Sequence, residues 1–304
     1  MKILVIGGTG HVGTFLVPKL LAKGHEVYVG TRGNTKLRDA ESFKGAQVVT
    51  VDAKDESSLI ALKDYHFDTV VDFPGTAYLV WQVLKNDISH LVACGSLWMF
   101  GHPTKVPTPE EFGLPHPHQG YIRRFGEIQK MQEESGKFKA VFSAVMPPNI
   151  CGPGKIPLDP MGDRSVENQQ KMMRGETIIL PDGPECLIGP CDAEDLASLF
   201  ALVIENPKVS AGELFNGGAE YSVVMSDFVR IYSEIYEKEI PIERVSWEEY
   251  KEKINPGAGA WWHFYAHMMP DISKAKRLLG YKPEFTPEQT VRRAVEWMKK
   301  EGIV

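Results

Sequence analysis

The sequence predicts an α/β protein with a Rossmann-type, doubly wound parallel sheet and a smaller, mostly helical C-terminal domain. Short apolar runs alternate with amphipathic segments through residues 2–94, and a glycine-rich turn follows the first run. This alternation stops near residue 155. A length of 304 residues is typical of about two domains, so the change in pattern marks the expected boundary.

Each predicted element follows from local patterning. Strands are predicted where short apolar runs lie between polar stretches, at 2–6, 26–30, 47–51, 69–72 and 90–94. Helices are predicted between them, near 11–23, 35–44, 55–63 and 76–86, and again near 121–136. Beyond a proline- and glycine-rich lobe at 155–190, we expect helices at 192–205, 225–237, 246–254 and 287–301, with a strand at 212–216 that returns to the sheet.

Composition excludes several classes of protein. Hydrophobic residues make up 43% of the chain and charged residues 24%, which is ordinary for a soluble globular protein. A net charge of -6 gives no general attraction to nucleic acid or anionic membranes. No apolar run reaches the length of a membrane span, and the chain opens into a strand rather than a signal peptide. The four cysteines are expected to be reduced thiols, so we expect a cytoplasmic protein with no membrane partner.

The turn at residues 7–13 predicts a phosphate cradle. Gly7 permits a tight turn, Gly10 lets the backbone approach a pyrophosphate, and Gly13 lets the following helix pack closely. Free N–H groups and the positive helix end then face the phosphates. The predicted contacts in this turn also include Thr9, His11 and Val12. We therefore expect a dinucleotide-binding domain at 1–154 plus about 191–217, and a substrate-binding domain at about 155–190 and 218–304.

The end of the second strand predicts which coenzyme binds. A fold that prefers NAD places Asp or Glu here to bond the ribose 2′-hydroxyl, and this sequence has no acid at that place. Thr31, Arg32 and Lys36 stand there instead, and the two cations suit a 2′-phosphate. NADP(H) is the preferred prediction and NAD(H) the alternative; two exposed loop cations would also explain the pattern.

Two further loops are predicted to contact the coenzyme. Asp52 follows the third strand, where its side chain would reach the adenine edge, and Ala53 lies beside it. Pro74 and Gly75 follow the fourth strand, where a rigid turn would pass over the middle of the coenzyme. An ordinary loop uses the same Pro-Gly pair, so both interpretations stay open.

Five segments carry a family resemblance. The first is the T-G-x-x-G-x-x-G pattern, matched from Gly7 to Gly13. The second pairs Ser96, five residues before Gly101, with Tyr121 in the following helix. The others are 146–154, similar to R-P-x-N-x-Y-G-P-G, 191–197, similar to V-x-D-v-A, and 271–283, similar to D-x-x-K-A-x-x-x-L-G-x-x-P. The chain resembles the extended short-chain dehydrogenases/reductases, the NAD-dependent epimerase/dehydratase group.

The resemblance implies roles for particular residues. Ser96 would hold a substrate oxygen and Tyr121 would exchange its proton, so both are the predicted catalytic residues. Pro147 and Asn149 would contact the coenzyme, as would Tyr121, and Asn149 would also contact the substrate. A homodimer through the helices near 78–86 and 121–136 is a further implication of the resemblance.

One departure affects the predicted chemistry. The family places a lysine four residues after the tyrosine, and Phe125 stands there. That lysine lowers the pKa of the phenol from near 10, so Tyr121 would be a poor base unless Arg124 or Arg123 supplies the charge. Packing alone would also explain Tyr121, because it continues an apolar stripe with Phe125, Ile128 and Met131. Likewise, Ser96 could simply bond its own backbone.

The expected substrate side is aromatic. Trp261 and Trp262 follow a glycine run and would wall the pocket opposite Trp98, or would form interdomain core. Ile188 stands where many nucleotide-sugar enzymes carry an arginine, which argues against a nucleotide sugar with a buried diphosphate.

Histidines and cysteines suggest no metal site. His263 and His267 would share a helix face, but no nearby carboxylate completes a ligand set. Cys186 and Cys191 lack a second pair at zinc spacing. His116 and His118 would act as proton carriers or, as we expect, be exposed loop residues.

Three functions follow in order of preference. The first is an NAD(P)-dependent epimerase, dehydratase or reductase acting on a sugar-like or small hydroxy/carbonyl substrate. The second is a coenzyme-binding sensor or regulator without turnover, which the absent lysine favours. The third is RNA binding, because 31–35 and 213–216 resemble the plant chloroplast stem-loop RNA-binding branch; net acidity and the lack of a basic stripe count against it.

Overall fold

The computed structural model describes residues 1–33, 41–116, 118–256 and 261–304. The strands are β1 (Lys2–Ile6), β2 (Glu26–Thr31), β3 (Gln47–Thr50), β4 (Thr69–Asp72), β5 (His90–Cys94), β6 (Val141–Met146), β7 (Asn149–Cys151), β8 (Ile178–Pro181), β9 (Leu187–Ile188), β10 (Pro190–Asp192), β11 (Leu214–Asn216), β12 (Val223–Val224) and β13 (Ile242–Val245). The helices are α1 (Gly13–Ala22), α2 (Glu56–Ile60), α3 (Ala77–Leu84), α4 (Gln119–Glu134), α5 (Val166–Met173), α6 (Ala193–Glu205), α7 (Pro207–Ser210), α8 (Met225–Tyr236), α9 (Trp247–Glu249), α10 (Ser273–Leu279) and α11 (Pro287–Lys300). Short 3-10 helices cover Ala61–Tyr65, Leu97–Phe100 and Trp261–Phe264, and a π-helical turn covers Tyr250–Ile254. Within these described ranges, no helix combines the length and the apolar character that crossing a membrane requires.

A central sheet of seven described strands is parallel throughout, in the order β11-β6-β5-β4-β1-β2-β3. The chain moves outward from β1 to β3, returns to the centre and moves outward again from β4. In open sheets of this kind, ligands bind beyond the carboxyl ends of the strands where this order reverses. Gly7 follows β1 and Phe73 follows β4, so their loops border that crevice. The predicted Rossmann-type fold class is confirmed.

Helices cover both faces of the sheet because side chains along β1 point alternately to opposite faces. Leu4 and Ile6 belong to a core that includes residues of α2, α3 and α4. Ile3 and Val5 belong to a second core with residues of α1 and α6. A parallel sheet covered on both faces requires strands that are apolar on both faces, and β1 has this pattern. The helices cover the faces of the sheet, so a ligand can approach the ends of the strands.

A third core lies in the C-terminal part of the chain, where α8 and α11 pack with β8 and β9. The buried Tyr232 hydroxyl donates to the carbonyl of Leu158 at 2.6 Å, which ties α8 to the segment before α5. Helix α11 begins with a capping box in which Thr286 and Gln289 bond each other's backbone. Strand β11 joins the central sheet beside β6. The division into a coenzyme domain and a substrate domain stays a prediction.

Several segments differ from the predicted elements, among them the helix predicted at 246–254, which is a three-residue α9 followed by a π-helical turn, and α5, which was not predicted. The helix predicted at 35–44 falls mainly on residues outside the described part, and residues 41–45 form a turn. The helix predicted near 55–63 is a short α2, capped by Asp55, that tightens into a 3-10 helix. It ends because His66 adopts a left-handed conformation with φ 54°. Helix α10 was not predicted, although its segment carried a motif, and it stops at Gly280 with φ 68°.

Candidate active site

The turn between β1 and α1 has the geometry of an anion cradle. Gly7 has φ 77° and donates its N–H to the carbonyl of Gly30, which fixes the turn against β2. A Cβ on Gly13 would lie 2.6 Å from Cα of Gly8, so only glycine allows this approach. Helix α1 starts after Val12 without a side-chain cap, which leaves its positive end open to a negatively charged group.

A crevice of about 280 Å³ opens beside this turn, at the carboxyl ends of β1 to β4. The structure brings seven of the predicted coenzyme residues to its walls: Gly7, Thr9, Thr31, Arg32, Asp52, Ala53 and Pro74. The open helix end and a polar wall suit the phosphate and ribose groups of a dinucleotide, so these residues fit the coenzyme that the fold implies. The His11 side chain contacts the segment after β7, where its Nε2 lies 3.2 Å from the carbonyl oxygen of Gly152.

The rim of the crevice carries the residues predicted to select the coenzyme. Arg32 is exposed, and its guanidinium makes no ion pair with a described carboxylate. Thr31 accepts the Gly33 N–H at 3.3 Å, and Asp52 accepts the Lys54 N–H at 3.0 Å, so both side chains shape their own loops. Lys36 lies outside the described residues.

The loop after β4 is held by the buried carboxylate of Asp72, which was not among the residues predicted from the sequence. Asp72 accepts the N–H groups of Gly75 and Thr76 at 3.0 and 2.8 Å. Burial raises the pKa of Asp72, while these hydrogen bonds and the charge of Arg124 oppose the rise. Gly75 has φ 80°, and a Cβ there would collide with the Arg124 guanidinium. Arg124 therefore reaches from α4 to the edge of the crevice.

Tyr121 lies in the first turn of α4, half-buried among rings. Its ring centroid is 5.6 Å from that of Trp98 and 4.6 Å from that of His116. Burial raises the pKa of the Tyr121 phenol, and the nearby Arg124 guanidinium opposes the rise. Phe125 is buried between Phe100 and Phe112, with centroids at 5.5 and 5.4 Å. The residue at the expected lysine position therefore packs in the core, and the cation close to Tyr121 is Arg124.

Ser96 sits at the end of β5, where it caps the 3-10 helix Leu97–Phe100. Its Oγ accepts the N–H of Trp98 at 3.3 Å. This contact uses the oxygen as an acceptor and leaves the hydroxyl proton available to another group. The backbone role and the substrate role that the sequence left open are therefore compatible at this residue.

Asn149 and Pro147 connect strands at the floor of the site. The buried Asn149 side chain accepts the Gly189 N–H and donates to Nδ1 of His263, both at 3.2 Å. The carbonyl of Pro147 accepts the N–H of Leu97 at 2.9 Å. Both residues hold the segments around Ser96 and β9 in register. Their predicted contacts with coenzyme or substrate stay predictions.

An aromatic wall stands beside Tyr121. Trp98 and Trp262 are buried, and both rings contact His116, with centroids at 5.7 and 4.3 Å. Trp261 is half-buried and contacts Trp262 at 5.6 Å. The structure therefore brings two of the three predicted tryptophans to one ring cluster and places the third at its outer side.

The histidines differ from expectation. His116 was predicted to be an exposed loop residue, and this is wrong, because only 2% of its surface is accessible; His118 is half-buried. Hydrogen bonds between His102 and Leu114 at 2.8 and 2.9 Å fold the loop back onto the site. His263 and His267 do not share a regular helix: the first bonds Asn149, and the second accepts the Leu187 N–H at 3.1 Å.

Other titratable groups do not form a metal centre. Burial lowers the pKa of His263 to about 3, so this imidazole stays neutral. In the described part of the chain, no three His, Cys, Asp or Glu side chains gather as metal ligands. Sequence reasoning missed His116 because an H-P-H loop is typical of a protein surface; burial by a later part of the chain leaves no local signal.

A sequence profile described as "NAD dependent epimerase/dehydratase family" matches residues 3–83. This range spans the cradle, Arg32, Asp52 and the loop after β4. Over this range the chain is similar to the NAD-dependent epimerase/dehydratase family. The predicted resemblance is thereby confirmed, whereas the functional meaning of Phe125 in place of the lysine stays a prediction.

Curated proteins that are similar over more of the chain carry several names. A chloroplast stem-loop binding protein of 41 kDa from Arabidopsis thaliana is 27% identical over 93% of this chain and 75% of its own. A putative UDP-glucose 4-epimerase from Methanocaldococcus jannaschii is 24% identical over 98% of both chains. Pinoresinol reductase 2 from Arabidopsis thaliana is 23% identical over 98% of this chain and 96% of its own. The predicted class, an NAD(P)-dependent epimerase/dehydratase- or reductase-like enzyme, is confirmed at this level, and the sensor and RNA-binding alternatives are not favoured.

A solved structure supports the fold of this chain. UDP-glucuronic acid 4-epimerase from Bacillus cereus, in complex with UDP-glucuronic acid and NAD, superposes with a TM-score of 0.78. The two chains are 15% identical, and the match covers 99% of this chain and 100% of that one. At this identity the likeness confirms the architecture, and the two small molecules belong to that protein.

Proposed function

We propose that this protein transfers hydride at a hydroxyl- or carbonyl-bearing carbon of a small or sugar-like substrate, with NADP(H) as the preferred coenzyme. Ser96 and Tyr121 are the proposed catalytic residues. The observation that carries the proposal is the guanidinium of Arg124, which lies against Gly75 at the coenzyme crevice and whose charge lowers the pKa of the Tyr121 phenol against the effect of burial. It supplies a cation where the family lysine is missing, so the altered motif keeps the charge that the chemistry requires.

The crevice supports dinucleotide binding through three features of this chain. The uncapped start of α1 and the amides of the turn from Gly7 to Gly13 suit a diphosphate. Asp52 and Ala53 line the far wall, where an adenosine would bind. Arg32, exposed and free of a described ion pair, suits a 2′-phosphate. Pro74 and Gly75 would then cover the centre of the coenzyme.

The chemistry requires a proton to move with the hydride. A bound nicotinamide coenzyme supplies or accepts the hydride. Because burial raises the pKa of Tyr121, this phenol is neutral at pH 7 and donates its proton to the substrate oxygen as a C–H bond forms at the carbonyl carbon. Ser96 donates a hydrogen bond to the same oxygen and orients it. In the oxidation direction the Tyr121 phenolate takes the proton back.

Arg124 stabilises the phenolate that Tyr121 becomes after giving up its proton. Its charge lowers the Tyr121 pKa against the effect of burial, and each unit of such a shift is worth about 1.36 kcal/mol. Phe125 cannot serve in this way because its ring is packed between Phe100 and Phe112. The guanidinium also reaches Gly75, so it suits hydroxyl or phosphate oxygens of a coenzyme in the crevice.

The substrate is proposed to be compact. Ile188 is fully buried in β9 and paired with Val223, so the site lacks a cation at the place where nucleotide-sugar enzymes hold a diphosphate. The rings of Trp98 and Trp262 stand beside Tyr121 and suit the apolar face of a small carbonyl compound or sugar.

The deciding experiment measures hydride transfer directly. Wild-type protein is incubated with deuterium-labelled NADPH or NADH and panels of small ketones, aldehydes and sugars, and label in the product is followed by mass spectrometry. We expect transfer from NADPH, and a loss of at least about 100-fold in Ser96→Ala and Tyr121→Phe, the usual range for losing a proton donor. Coenzyme-dependent thermal shifts in both variants would verify that they still fold and bind. Turnover that survives Tyr121→Phe would refute the assigned proton donor.

A further inference from the structure

His116 and Trp262 each bury an N–H donor without an acceptor. The Nδ1 atom of His116 accepts the N–H of His118 at 3.0 Å, so the neutral imidazole carries its proton on Nε2. That Nε2 is buried and bonded to no described residue, and the same holds for the indole Nε1 of Trp262. Each side chain is 2% exposed. Leaving such a donor unpaired in a folded protein is unfavourable, so the pair calls for an explanation.

The two rings that carry these donors are in contact, and the ring of the proposed proton donor contacts one of them. The ring centroids of His116 and Trp262 are 4.3 Å apart, and that of Tyr121 is 4.6 Å from His116. Other buried indoles of the chain are satisfied: Nε1 of Trp98 contacts Sδ of Met268 at 2.8 Å, and Nε1 of Trp81 donates to Glu134 at 2.8 Å. Trp262 therefore differs from the other two buried indoles in leaving its N–H unpaired.

A cavity of about 450 Å³ has Trp262 in its wall. Its lining residues are His102, Leu114, Pro115, Trp247, Lys251, Trp261, Trp262 and Tyr265. This volume is sufficient for a compact molecule beside Trp262, one of the two residues that carry the donors.

We propose that His116 Nε2–H and Trp262 Nε1–H bind a second acceptor oxygen of the substrate, next to the carbon on which Tyr121 and Ser96 act. The ligand class is a compact compound with two neighbouring oxygens, one that reacts and one, a carbonyl or carboxylate oxygen, that is held. Two neutral donors on aromatic rings suit an oxygen that accepts hydrogen bonds, whereas a cation or a hydrocarbon would leave both unpaired. This inference rests on the proposed function for the identity of the reacting group.

The inference can be tested without turnover. Protein labelled with 15N-tryptophan is saturated with NADP+, and the indole N–H resonances are followed during titration with dihydroxyacetone, a neutral ketone, and with acetate, a carboxylate. Trp262→Phe assigns the resonance of interest. We expect the Trp262 resonance to move downfield while that of Trp81, already bonded to Glu134, stays fixed. Movement with dihydroxyacetone alone identifies a carbonyl, and movement with acetate identifies a carboxylate.

Two substitutions of His116 separate ligand binding from folding. His116→Asn keeps an oxygen near Nδ1 for the His118 amide but ends short of Nε2, whereas His116→Gln extends an N–H donor close to the Nε2 position. We expect the titration shift to vanish in the Asn variant and to persist in the Gln variant. A Trp262 resonance that ignores both probes in the wild-type protein overturns the inference. A shift without any hydride transfer would instead refute the proposed function and leave the donor pair as a binding site.

Discussion

The guanidinium of Arg124 lies against Gly75, and this approach joins α4 to the loop that follows β4. Gly75 borders the predicted path of the coenzyme, and Arg124 is one turn along α4 from Tyr121. The charge of Arg124 acts on both the Asp72 carboxylate and the Tyr121 phenol. One side chain therefore connects the coenzyme crevice with the proposed proton donor.

Replacing Arg124 by Gln tests this connection. Without the cation, the pKa of Tyr121 rises further, so the phenolate needed for oxidation of a hydroxyl substrate forms only at higher pH. We expect oxidation at pH 7 to slow by about tenfold per unit of pKa shift. The pH range over which the oxidation rate rises should move to higher pH. Steady-state rates across pH 6–10 measure both effects. Arg124→Lys should recover part of the rate because it keeps the charge.

Arg123→Gln provides the matched control for Arg124. Arg123 is exposed on the neighbouring face of α4 and pairs with Glu127 at 2.7 Å, so its loss should leave the pH profile unchanged. An Arg124→Gln variant with the wild-type profile would show that this cation does not act on Tyr121.

Replacing Gly13 by Ala tests the cradle. The added Cβ would lie 2.5 Å from the carbonyl oxygen of Gly8, which is too close for two non-bonded atoms. The turn that holds Gly8 and the start of α1 would therefore have to move apart. Overpacking of this kind costs about 1–3 kcal/mol, and here it also distorts the amides proposed to bind the diphosphate. We expect a lower Tm and a reduced upward shift of Tm when NADPH is added, measured by thermal unfolding. Gly126→Ala in α4, where no atom lies within 4 Å, should instead raise stability by up to about 1 kcal/mol. A full NADPH shift in Gly13→Ala would contradict the cradle assignment.

The sheet and the cradle could be predicted because local sequence determines them. Apolar runs such as Ile3 to Ile6 must be buried on both faces, and glycines at Gly7 and Gly13 are required by backbone geometry that no other residue tolerates. The end of the helix predicted near 55–63 depends on the left-handed backbone conformation of His66. A histidine at this place in the sequence does not indicate that conformation.

The environment of the site could not be predicted in the same way. His116 is buried by Trp262, which lies far along the chain, and Asp72 acts through hydrogen bonds to the loop after its own strand. No periodic pattern or motif in the sequence indicates either of these contacts. The position of Arg124 beside Gly75 also depends on how α4 packs near the sheet, so a cation could be proposed from sequence but not assigned.

Replacing Arg32 by Ala tests coenzyme selection. If its guanidinium bonds a 2′-phosphate, a charge-assisted hydrogen bond worth about 1.5–3 kcal/mol is lost with NADPH only. We expect the dissociation constant for NADPH to rise by more than about tenfold and that for NADH to change little, as measured by fluorescence titration. Lys54→Ala removes another cation from the same crevice wall and should weaken both coenzymes alike. Equal losses for NADPH and NADH in Arg32→Ala would argue against the preference for NADP(H).

The buried His90 predicts how stability depends on pH. Its Nε2 lies 2.8 Å from Oγ of Ser143, whose hydroxyl donates onward to the Ser210 carbonyl at 2.7 Å. Burial lowers the pKa of His90 to about 4, so the folded protein keeps this imidazole neutral where the unfolded chain, with a pKa near 6.5, takes up a proton. Stability from this residue is present above pH 6.5 and is lost as the pH falls toward 4.

His90→Gln isolates this contribution, because Gln retains an N–H donor for Ser143 and cannot titrate. We expect the free energy of unfolding of the wild-type protein to fall by about 2 kcal/mol more than that of the variant between pH 7 and pH 5. Urea unfolding at each pH measures the difference. Between pH 7.5 and 8.5 the free energy of unfolding should change with pH equally in the two proteins, because neither the folded nor the unfolded state takes up this proton there. Parallel curves across the acid range would mean that the folded protein protonates His90 as readily as the unfolded chain, and would contradict the effect assigned to burial.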